Sequence, residues 1–592
     1  MMPRQPSKWE GYGGDFRDEG QAMDDARWMT SGEGHPRRWA ILGVLVVSLL
    51  IVVLDNTVLN IALPTIQHDL DATQGELVWA VDSYILAFAS LLFTWGVLGD
   101  RIGRKKVLLI GLSVFGVASA ICAFSDSAGM LIGFRAVMGV GGAAVLPTTL
   151  AIITVVFPPH ERGKAIGAWA GAVGAAVALG PVLGGLLLEH PQWSSWLTGN
   201  DWGSVFLINV PIVIIGIIAI VRVVPETRNP QPRRLDVLGL VISVAGLVLL
   251  IYGIIHASET KDWLAASVLV PIIAGVLVIT LFLVLEARSD HSSFDVSLFR
   301  NRGYAVSLVA VSLSFFALSG ITFSLPFYLQ TLRGYSTLIA GLCFVPFAIG
   351  QLLAAPRSAK MVSKFGYRTV MTTGLVLVTL SLLGLARLQL DSPLWFLLLV
   401  FFVFGFGMGN VIAPGSTVMQ NVLPLARAGA GSAVQNTVRQ VFGALGVAII
   451  GTILATQYAA NVAPVLDGLP AGVPADVKDA AGESIIATVA VLGEAGGAGL
   501  PAAALAQAQA GAFEAFLSAS HLTSLISMTV VGIAAIIVGF LLPHISPPTK
   551  PMERGIAPEP SNPADELVIH EAESYEEEVL GEYVDERRPA KE

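Results

Sequence analysis

Charged residues are scarce in this sequence: Asp, Glu, Lys and Arg make up only 13% of its 592 residues. A soluble globular domain has about 25% of such residues, so this composition excludes an ordinary water-soluble protein. Hydrophobic residues make up 54% of the chain instead, and the mean hydropathy is +0.70. Such a balance is typical of an integral membrane protein.

Signatures of catalysis are also missing. The sequence has no GxxxxGK[ST] phosphate-binding loop, which argues against direct use of ATP. It shows no nucleophile motif, metal-ligand cluster or soluble catalytic domain. We therefore expect no enzyme activity, no metal site, no cofactor and no nucleic-acid partner. Cys122 and Cys343 both fall within apolar runs, where we expect small apolar side chains and no disulfide.

The apolar residues form continuous runs of about 20 residues, which predict membrane-spanning helices, whereas β-barrel strands alternate apolar and polar positions. The sequence thus predicts an all-α polytopic membrane protein with 14 transmembrane helices. The first run is too long for a signal peptide and is expected to be retained. The runs lie near residues 40–63, 77–98, 106–125, 129–157, 162–188, 203–222, 235–256, 264–285, 303–327, 336–356, 367–387, 393–416, 433–456 and 521–542.

The positions of Lys and Arg predict the orientation of these helices. Of 35 basic residues, four lie in loops after odd-numbered helices, two lie in helices, and 29 lie in the remaining loops and terminal segments. Because basic loops stay on the cytoplasmic side, we expect both termini in the cytoplasm. We expect the plasma membrane as the location, and the Ala- and Gly-rich composition favours a bacterial source.

Acidic residues are concentrated at the end of the chain. Residues 551–592 contain thirteen Asp or Glu and four Lys or Arg, which accounts for the whole net charge of −9. We predict that 544–592 is a solvated acidic tail. It serves solubility and spacing, or it carries a motif for a dedicated partner.

Two loops indicate an internal repeat. GVLGDRIGRKK (96–106) follows the second helix, and AKMVSKFGYRT (359–369) follows the tenth. Aligning Gly103 with Gly366 also aligns the first helix with the ninth. Two repeated halves are typical of transporters, with the substrate site near the midplane between them.

The predicted domain organisation follows from this repeat. The two six-helix halves span 40–222 and 303–543, and an inserted helix pair with its flanking loops spans 223–302. A cytoplasmic N-terminal tail covers 1–39. The second half includes the external segment 457–520, which we interpret as a helical cap over the outer surface.

Charged residues within the apolar runs mark a candidate functional region. LLIVVLDNTVLNIALP (49–64) places Asp55 deep in the first helix, Arg135 lies inside the fourth, and Asp82 lies inside the second near its outer end. A charge at mid-membrane depth costs roughly 2.5–3.5 kcal/mol, so we expect Asp55 and Arg135 to form a pair. Asp82 is expected within reach of water.

A buried carboxylate beside a cation can exchange a proton when its cavity opens to one side or the other. We therefore predict Asp55, Arg135 and Asp82 as the proton-coupling residues. The alternative is that Asp55 is a structural carboxylate held by Asn56, Asn60 or Arg135.

Five motifs occur in order along the chain: LDNTVLNIALP (54–64), GVLGDRIGRKK (96–106), RAVMGVGGA (135–143), the glycine-rich fifth helix ending GPVLGG (180–185), and WGSVFLINVP (202–211). Together they resemble the major facilitator superfamily, in particular its fourteen-helix drug:proton antiporter branch. Two positions depart from the pattern, with Met138 in place of the usual Gln and Gly203 in place of the usual Arg. The resemblance covers about residues 40–545 and implies the fold of that family.

The resemblance also implies roles for two of the motifs. The loop 96–106 would latch the two halves on the cytoplasmic side, through Gly96, Asp100, Arg101, Gly103 and Arg104. The fifth helix would seal the central cavity against leak, through Gly174, Gly180, Pro181, Gly184 and Gly185. The alternatives are that the basic residues of the loop only set topology and bind anionic lipid, and that the glycines serve ordinary helix packing.

Amide and aromatic side chains within the helices predict an apolar substrate cavity with a few polar groups. For the aromatic residues, packing or lipid contact is the alternative. The candidate cavity residues are Asn56, Asn60, Trp79, Phe323, Phe327, Gln330, Gln351, Asn410 and Gln435.

We therefore expect a proton-coupled antiporter that exports hydrophobic or amphipathic small molecules, including drugs, and works as a monomer in the lipid bilayer. One alternative is an exporter of an endogenous lipid, siderophore or secondary metabolite that uses the same mechanism. Another is a non-transporting membrane sensor or scaffold that keeps the fold.

Overall fold

The protein is described here from a computed structural model. The structure describes residues 34–228, 236–260, 262–288, 296–421, 428–468, 478, 481–497 and 502–543. The predictions for residues 1–33 and for the acidic tail at 544–592 lie outside these residues. Within them all regular structure is helical, which confirms the predicted fold class.

A first group of six helices precedes an inserted pair. The group comprises α1 (Arg38–Leu70), α2 (Gln74–Ile102), α3 (Arg104–Cys122), α4 (Ala128–Val156), α5 (Pro159–Glu189) and α6 (Asn209–Val223), which the single turn Ser204–Leu207 precedes. The inserted pair is α7 (Val237–Thr260) and α8 (Ala266–Arg288). These two helices pack against each other, and α7 also contacts α2 and the later helix Ala428–Asp467.

The second group begins with α9 (Arg302–Phe327), which continues into the π-helical turn Tyr328–Leu332. The helical segments Thr337–Leu342 and Val345–Leu385 follow, and the latter is interrupted by the non-helical φ of 79° and ψ of 160° at Gly366. We name the part before Gly366 α10, including Thr337–Leu342, and the part after it α11. The remaining helices are α12 (Leu394–Asn421), α13 (Ala428–Asp467), α14 (Ile485–Gly497) and α15 (Ala502–Leu541).

Twelve helices in the described part of the chain are long and apolar enough to cross a membrane. One of these, Thr337–Leu385, contains both α10 and α11, and α5 is not among the twelve although it has 31 residues. A multi-pass membrane protein is confirmed, and the total of 14 spans stays a prediction.

The described parts of segment 457–520 are mostly helical, and its role as a cap over the outer surface stays a prediction. α13 continues to Asp467 and α15 begins at Ala502, so both ends of the segment extend membrane helices, with α14 between them. The stretch AAALAQAQAGAFEAFLSAS at the start of α15 is rich in alanine, the residue with the highest helix propensity, which favours continuation of the helix.

The internal repeat is visible in backbone geometry. Gly103 between α2 and α3 has φ of 115°, and its counterpart Gly366 between α10 and α11 has φ of 79°. Two residues beyond each glycine, a basic side chain binds a main-chain carbonyl of the last helix in its own group. Lys105 Nζ donates to the Val221 carbonyl on α6, and Arg368 donates to the Gly539 carbonyl on α15.

The two helix groups contact each other near the end of the bundle that we predict to be external. Gln330 Nε2, after α9, donates to the Ile61 carbonyl of α1 at 2.9 Å. On α5 and α10, Gly185 lies against the backbone of Thr337, and Gly341 lies against the Pro181 carbonyl, so closely that neither glycine has room for a Cβ. Glycine at these positions allows the two helices to touch through their backbones.

Candidate functional site

Asp55 and Arg135 form an ion pair in the interior of the first helix group. Arg135 Nη1 donates to Asp55 Oδ2 at 2.5 Å, and both side chains are fully buried. α1 and α4 supply the two residues, which lie 80 positions apart in the sequence. The structure thus brings together the two charges that the cost of burial predicted to be partners. Removing one partner of a buried pair typically costs about 3–5 kcal/mol, because it leaves the other charge uncompensated.

Two further contacts hold Arg135 in place independently of Asp55. Its Nε donates to the Ala80 carbonyl of α2 at 3.1 Å. Its guanidinium also lies over the Tyr84 ring, 4.4 Å from the ring centroid. Tyr84 is fixed in turn, since its hydroxyl donates to the Val52 carbonyl at 3.2 Å. α2 therefore contacts the arginine through Ala80 and Tyr84, while α1 supplies its counter-ion and the carbonyl that holds Tyr84.

Asn209 is a third member of this site, and our sequence reasoning assigned it no role. Its Nδ2 donates to Asp55 Oδ1 at 2.8 Å and to Ser119 Oγ at 3.0 Å. The amide beside the pair thus comes from α6, and neither Asn56 nor Asn60 contributes it. The available signal was a polar residue within the otherwise apolar stretch VFLINVP of α6. We call Asp55, Arg135 and Asn209 the charge site.

Asp82 is more deeply enclosed than we expected. It is 0% exposed, and neither carboxylate oxygen has a hydrogen-bond partner in the described part of the chain. One turn earlier, Val78 packs against Gly451 of α13, which places this face of α2 against the second helix group. Packing between the groups therefore removes Asp82 from the water that its position near the helix end suggested.

The loop 96–106 is held within the first helix group. Arg104 donates to Asp100 Oδ1 through Nη2 at 2.8 Å and through Nε at 3.0 Å. Gly96 packs against Pro147 of α4, and Arg101 is exposed. Arg104 also donates to the Ala151 carbonyl of α4, within the same group. Its role as a latch between the halves stays a prediction.

Glu226, just after α6, lies at the start of α3. Its Oε1 accepts from the Lys105 main-chain N–H at 3.1 Å, and the Arg104 N–H donates to the Thr227 carbonyl at 3.0 Å. A carboxylate at a helix N-terminus satisfies free N–H groups and interacts favourably with the helix dipole. Our sequence reasoning missed Glu226, although it stands directly after an apolar run.

The small residues of α5 lie against two different helices. Gly180 is packed tightly against Thr57, and Gly184 against Val58, both on α1 beside Asp55. Gly185 and Pro181 face α10, as described above. Gly174 lies in α5, but its surroundings are outside the described part. The same glycine face thus borders the charge site and the contact between the groups.

The predicted cavity residues occupy varied surroundings. Phe323 and Phe327 are almost fully buried, with ring centroids 6.1 Å apart, which favours packing for both. Asn410 Nδ2 donates to the Phe406 carbonyl at 2.9 Å, and Gln435 Nε2 donates to Ser416 Oγ at 2.7 Å. Gln330 bridges α9 and α1. The residues that remain partly exposed inside the helices are Asn56, Asn60, Trp79 and Gln351.

Comparison with known proteins decides the family. The profile of the Major Facilitator Superfamily matches residues 45–447, which is more than half of the chain. The chain belongs to the major facilitator superfamily. It is accordingly a membrane transporter that binds small molecules, and the prediction that it is not an enzyme is confirmed.

Relatives within the superfamily align with most of the chain. The multidrug efflux pump LfrA of Mycolicibacterium smegmatis is 35% identical over 85% of this chain and 96% of its own length. The tetracenomycin C resistance and export protein of Streptomyces glaucescens is 32% identical over 71% of this chain and 77% of its own.

A solved structure shows the same fold. A bacterial homologue of the human lysosomal transporter Spinster, in an inward-facing and occupied conformation, matches 85% of this chain and 96% of its own. The TM-score is 0.60 at 15% sequence identity.

Proposed function

We propose that this member of the superfamily is a proton-coupled antiporter that exports hydrophobic or amphipathic small molecules across a bacterial plasma membrane, with both termini in the cytoplasm. The observation that carries the proposal is the charge site, an ion pair enclosed among α1, α2, α4 and α6. A protein that served only as a scaffold would not need a costly buried charge at this place. The relatives named for efflux and resistance support export as the direction of transport.

The charge site supplies a reversible proton carrier. Asp55 takes up a proton when a contact to one of its oxygens is released, and Arg135 stays in place because Ala80 and Tyr84 hold it. Loss of the ion-pair attraction then changes the relative stability of the two conformations of the transporter. Asp82 is a second candidate carrier, because a proton can bind there without breaking an existing contact.

The glycine face of α5 provides a physical link between protonation and movement. Thr57 and Val58, which Gly180 and Gly184 contact, lie within one turn of Asp55 on α1. A shift of α1 on protonation therefore acts directly on α5, whose other face meets α10 of the second group. In this proposal substrate and proton favour opposite conformations, which gives exchange and requires no covalent chemistry.

The test uses inside-out membrane vesicles that contain the full-length protein in their membrane and have an acidic interior. The wild type is expected to accumulate a substrate dye when the pH gradient is imposed and to release it when the gradient is collapsed. Asp55→Asn keeps the shape of the side chain but cannot change charge, and it should abolish gradient-driven accumulation while retaining dye binding. Asp126→Asn is the matched control, because it makes the same substitution at an exposed carboxylate between α3 and α4 and should leave coupling intact.

Equal gradient-driven transport by the wild type and Asp55→Asn would refute the coupling role of Asp55. If the wild type moves none of a broad panel of dyes and antibiotics but does move a lipid, siderophore or secondary metabolite, export of an endogenous molecule replaces drug export as the function.

A further inference from the structure

Arg439, in the other helix group, is a second arginine within a membrane-spanning helix, and its guanidinium Nε is buried. Arg439 is on α13 within the apolar span Val434–Asp467. Its guanidinium lies over the ring of Phe315, 4.8 Å from the centroid. Phe315 is the fourteenth of the 26 residues of α9, so the charge is held near the middle of that helix.

The guanidinium of Arg439 is incompletely satisfied. Its Nε is buried without a hydrogen-bond partner, and no ion pair involves this residue in the part of the chain that the structure describes. Arg135, by contrast, is matched by Asp55. An unpaired arginine is costly in hydrocarbon, so the partly exposed side of Arg439 must open on an aqueous cavity or on a ligand and not on lipid tails.

The acidic residues in the later part of the second helix group, from Asp467 to Glu514, lie at or beyond the outer end of α13. Glu514 of α15 is next to Ala515, whose carbonyl accepts from Asn461, 22 residues past Arg439. Between residues 302 and 466 the only acidic residue is Asp391, in the turn between α11 and α12. The side chains one turn from Arg439 are uncharged: Gln435 is bonded to Ser416, and Gly443 lies near Ser319. In the first group, the described contacts of Asp55 are taken by Arg135 and Asn209.

We propose that Arg439 and Phe315 form an anion-binding subsite for the transported molecule, which is an amphiphile with a carboxylate, sulfonate or phosphate beside an apolar body. The planar guanidinium binds such a group through paired hydrogen bonds, and the apolar surface around Phe315 packs against the body. This inference rests on the proposed function, since it assigns the substrate class of the same transporter. A soluble metabolite and an anionic lipid share this chemistry.

The test compares two dyes with the same xanthene framework, anionic fluorescein and cationic rhodamine 123. Their dissociation constants are measured by fluorescence anisotropy with purified full-length protein in a neutral detergent. Arg439→Gln should weaken fluorescein binding by about tenfold or more and leave rhodamine 123 unchanged or bound more tightly. Arg357→Gln is the matched control, because it removes a positive charge from an exposed arginine on α10 and should change neither constant.

If Arg439 has only a structural role, the dissociation constants of the two dyes respond differently. If Arg439→Gln weakens both dyes equally, or neither, the anion subsite is refuted. If Arg439→Gln does not elute as a folded protein, Arg439→Lys is used in its place. It keeps the charge but loses the planar fork, and it should weaken the binding of fluorescein alone. An unchanged fluorescein constant in Arg439→Lys and in Phe315→Leu would likewise overturn the proposal.

Two further measurements identify the source of the anion and test the subsite and the transport proposal separately. Competition of phosphatidylglycerol with fluorescein in the wild type, lost in Arg439→Gln, identifies an anionic lipid as the occupant; absence of competition identifies a soluble amphiphile.

If vesicles accumulate rhodamine 123 under a pH gradient but Arg439→Gln leaves the fluorescein dissociation constant unchanged, the subsite is refuted and the proposed function is retained. If fluorescein binding needs Arg439 but the gradient moves neither dye, the subsite stands and proton-driven export fails.

Discussion

At the scale of single residues, the two oxygens of Asp55 are divided between two donors. Oδ2 faces Arg135 and Oδ1 faces Asn209, at 2.5 and 2.8 Å. The arginine has additional anchors on α2, whereas the described hydrogen bonds of the carboxylate are to these two donors. Protonation of Asp55 therefore loosens α1 more than it loosens α4. This asymmetry makes Asp55 the mobile partner and Arg135 the fixed one.

Arg135→Lys tests the fixed partner. Lysine keeps the positive charge but lacks the planar fork that reaches Asp55, the Ala80 carbonyl and the Tyr84 ring together. We expect gradient-driven transport to fall by at least about tenfold, which corresponds to a loss of roughly 1.4 kcal/mol. The measurement is the initial rate of dye accumulation in inside-out vesicles, with Arg357→Lys on the exposed face of α10 as control. A rate close to that of the wild type would show that charge alone suffices at this position.

Sequence reasoning identified the charges of the site but not its amide. Asp55 and Arg135 could be predicted as partners because charge in an apolar helix is costly wherever the helix packs. An asparagine is tolerated at many depths, so Asn209 gave no comparable signal. The absence of Gln at position 138 suggested a missing polar contact, and the structure places Met138 in the core while α6 supplies an amide from another direction.

At the scale of elements, the turn between α2 and α3 depends on one glycine and one acidic residue from a distant segment. A Cβ on Gly103 would lie 2.6 Å from the carboxylate of Glu226, and φ of 115° is itself unfavourable for other residues. Its repeat counterpart Gly366 also has a positive φ, but nothing lies within 4 Å of the corresponding Cβ position. Comparing substitutions at the two glycines therefore distinguishes the cost of backbone strain from the cost of losing the Glu226 contact.

Gly103→Ala is expected to destabilise the protein more than Gly366→Ala. Backbone strain of about 1–3 kcal/mol applies to both, and displacement of a charged hydrogen-bond partner adds about 1.5–3 kcal/mol for Gly103 alone. Thermal unfolding of the purified variants measures the difference. In a Glu226→Ala background the two glycine substitutions should cost the same, as a double-mutant cycle requires if Glu226 is the cause. A gap that persists in that background would assign the effect to another neighbour.

At the scale of the whole molecule, the two helix groups meet through backbone contacts near one end. α5 and α10 touch at Gly185 and Gly341, and Gln330 joins α9 to α1. The described contacts of loop 96–106, near the opposite end, stay within the first group and the segment after α6. With the predicted orientation, the contacts between α5 and α10 close the gap between the two groups at the outer end.

Gly341→Val is expected to oppose that closure. The added side chain has no space beside the Pro181 carbonyl, and overpacking of this kind costs about 1–3 kcal/mol. Transport should slow, and Asn60→Cys, in a background without Cys122 and Cys343, should react faster with an impermeant maleimide from the outer side. Gly43→Val serves as control, since nothing lies within 4 Å of that position. Equal labelling in both variants would contradict a gate formed by α5 and α10.

Local features of the sequence were enough to predict the membrane class, most helix positions, the repeat that relates Gly103 to Gly366, and the Asp55–Arg135 partnership. Each depends on a local property: an apolar run, a backbone angle that favours glycine, or a charge too costly to leave unpaired. The tertiary structure alone decided which groups complete each site. Asn209 reaches Asp55 across 154 positions, and Glu226 reaches Lys105 across 121. It also showed that Arg439 has no ion pair within the described residues, a property that depends on every helix packed around it and on no local pattern.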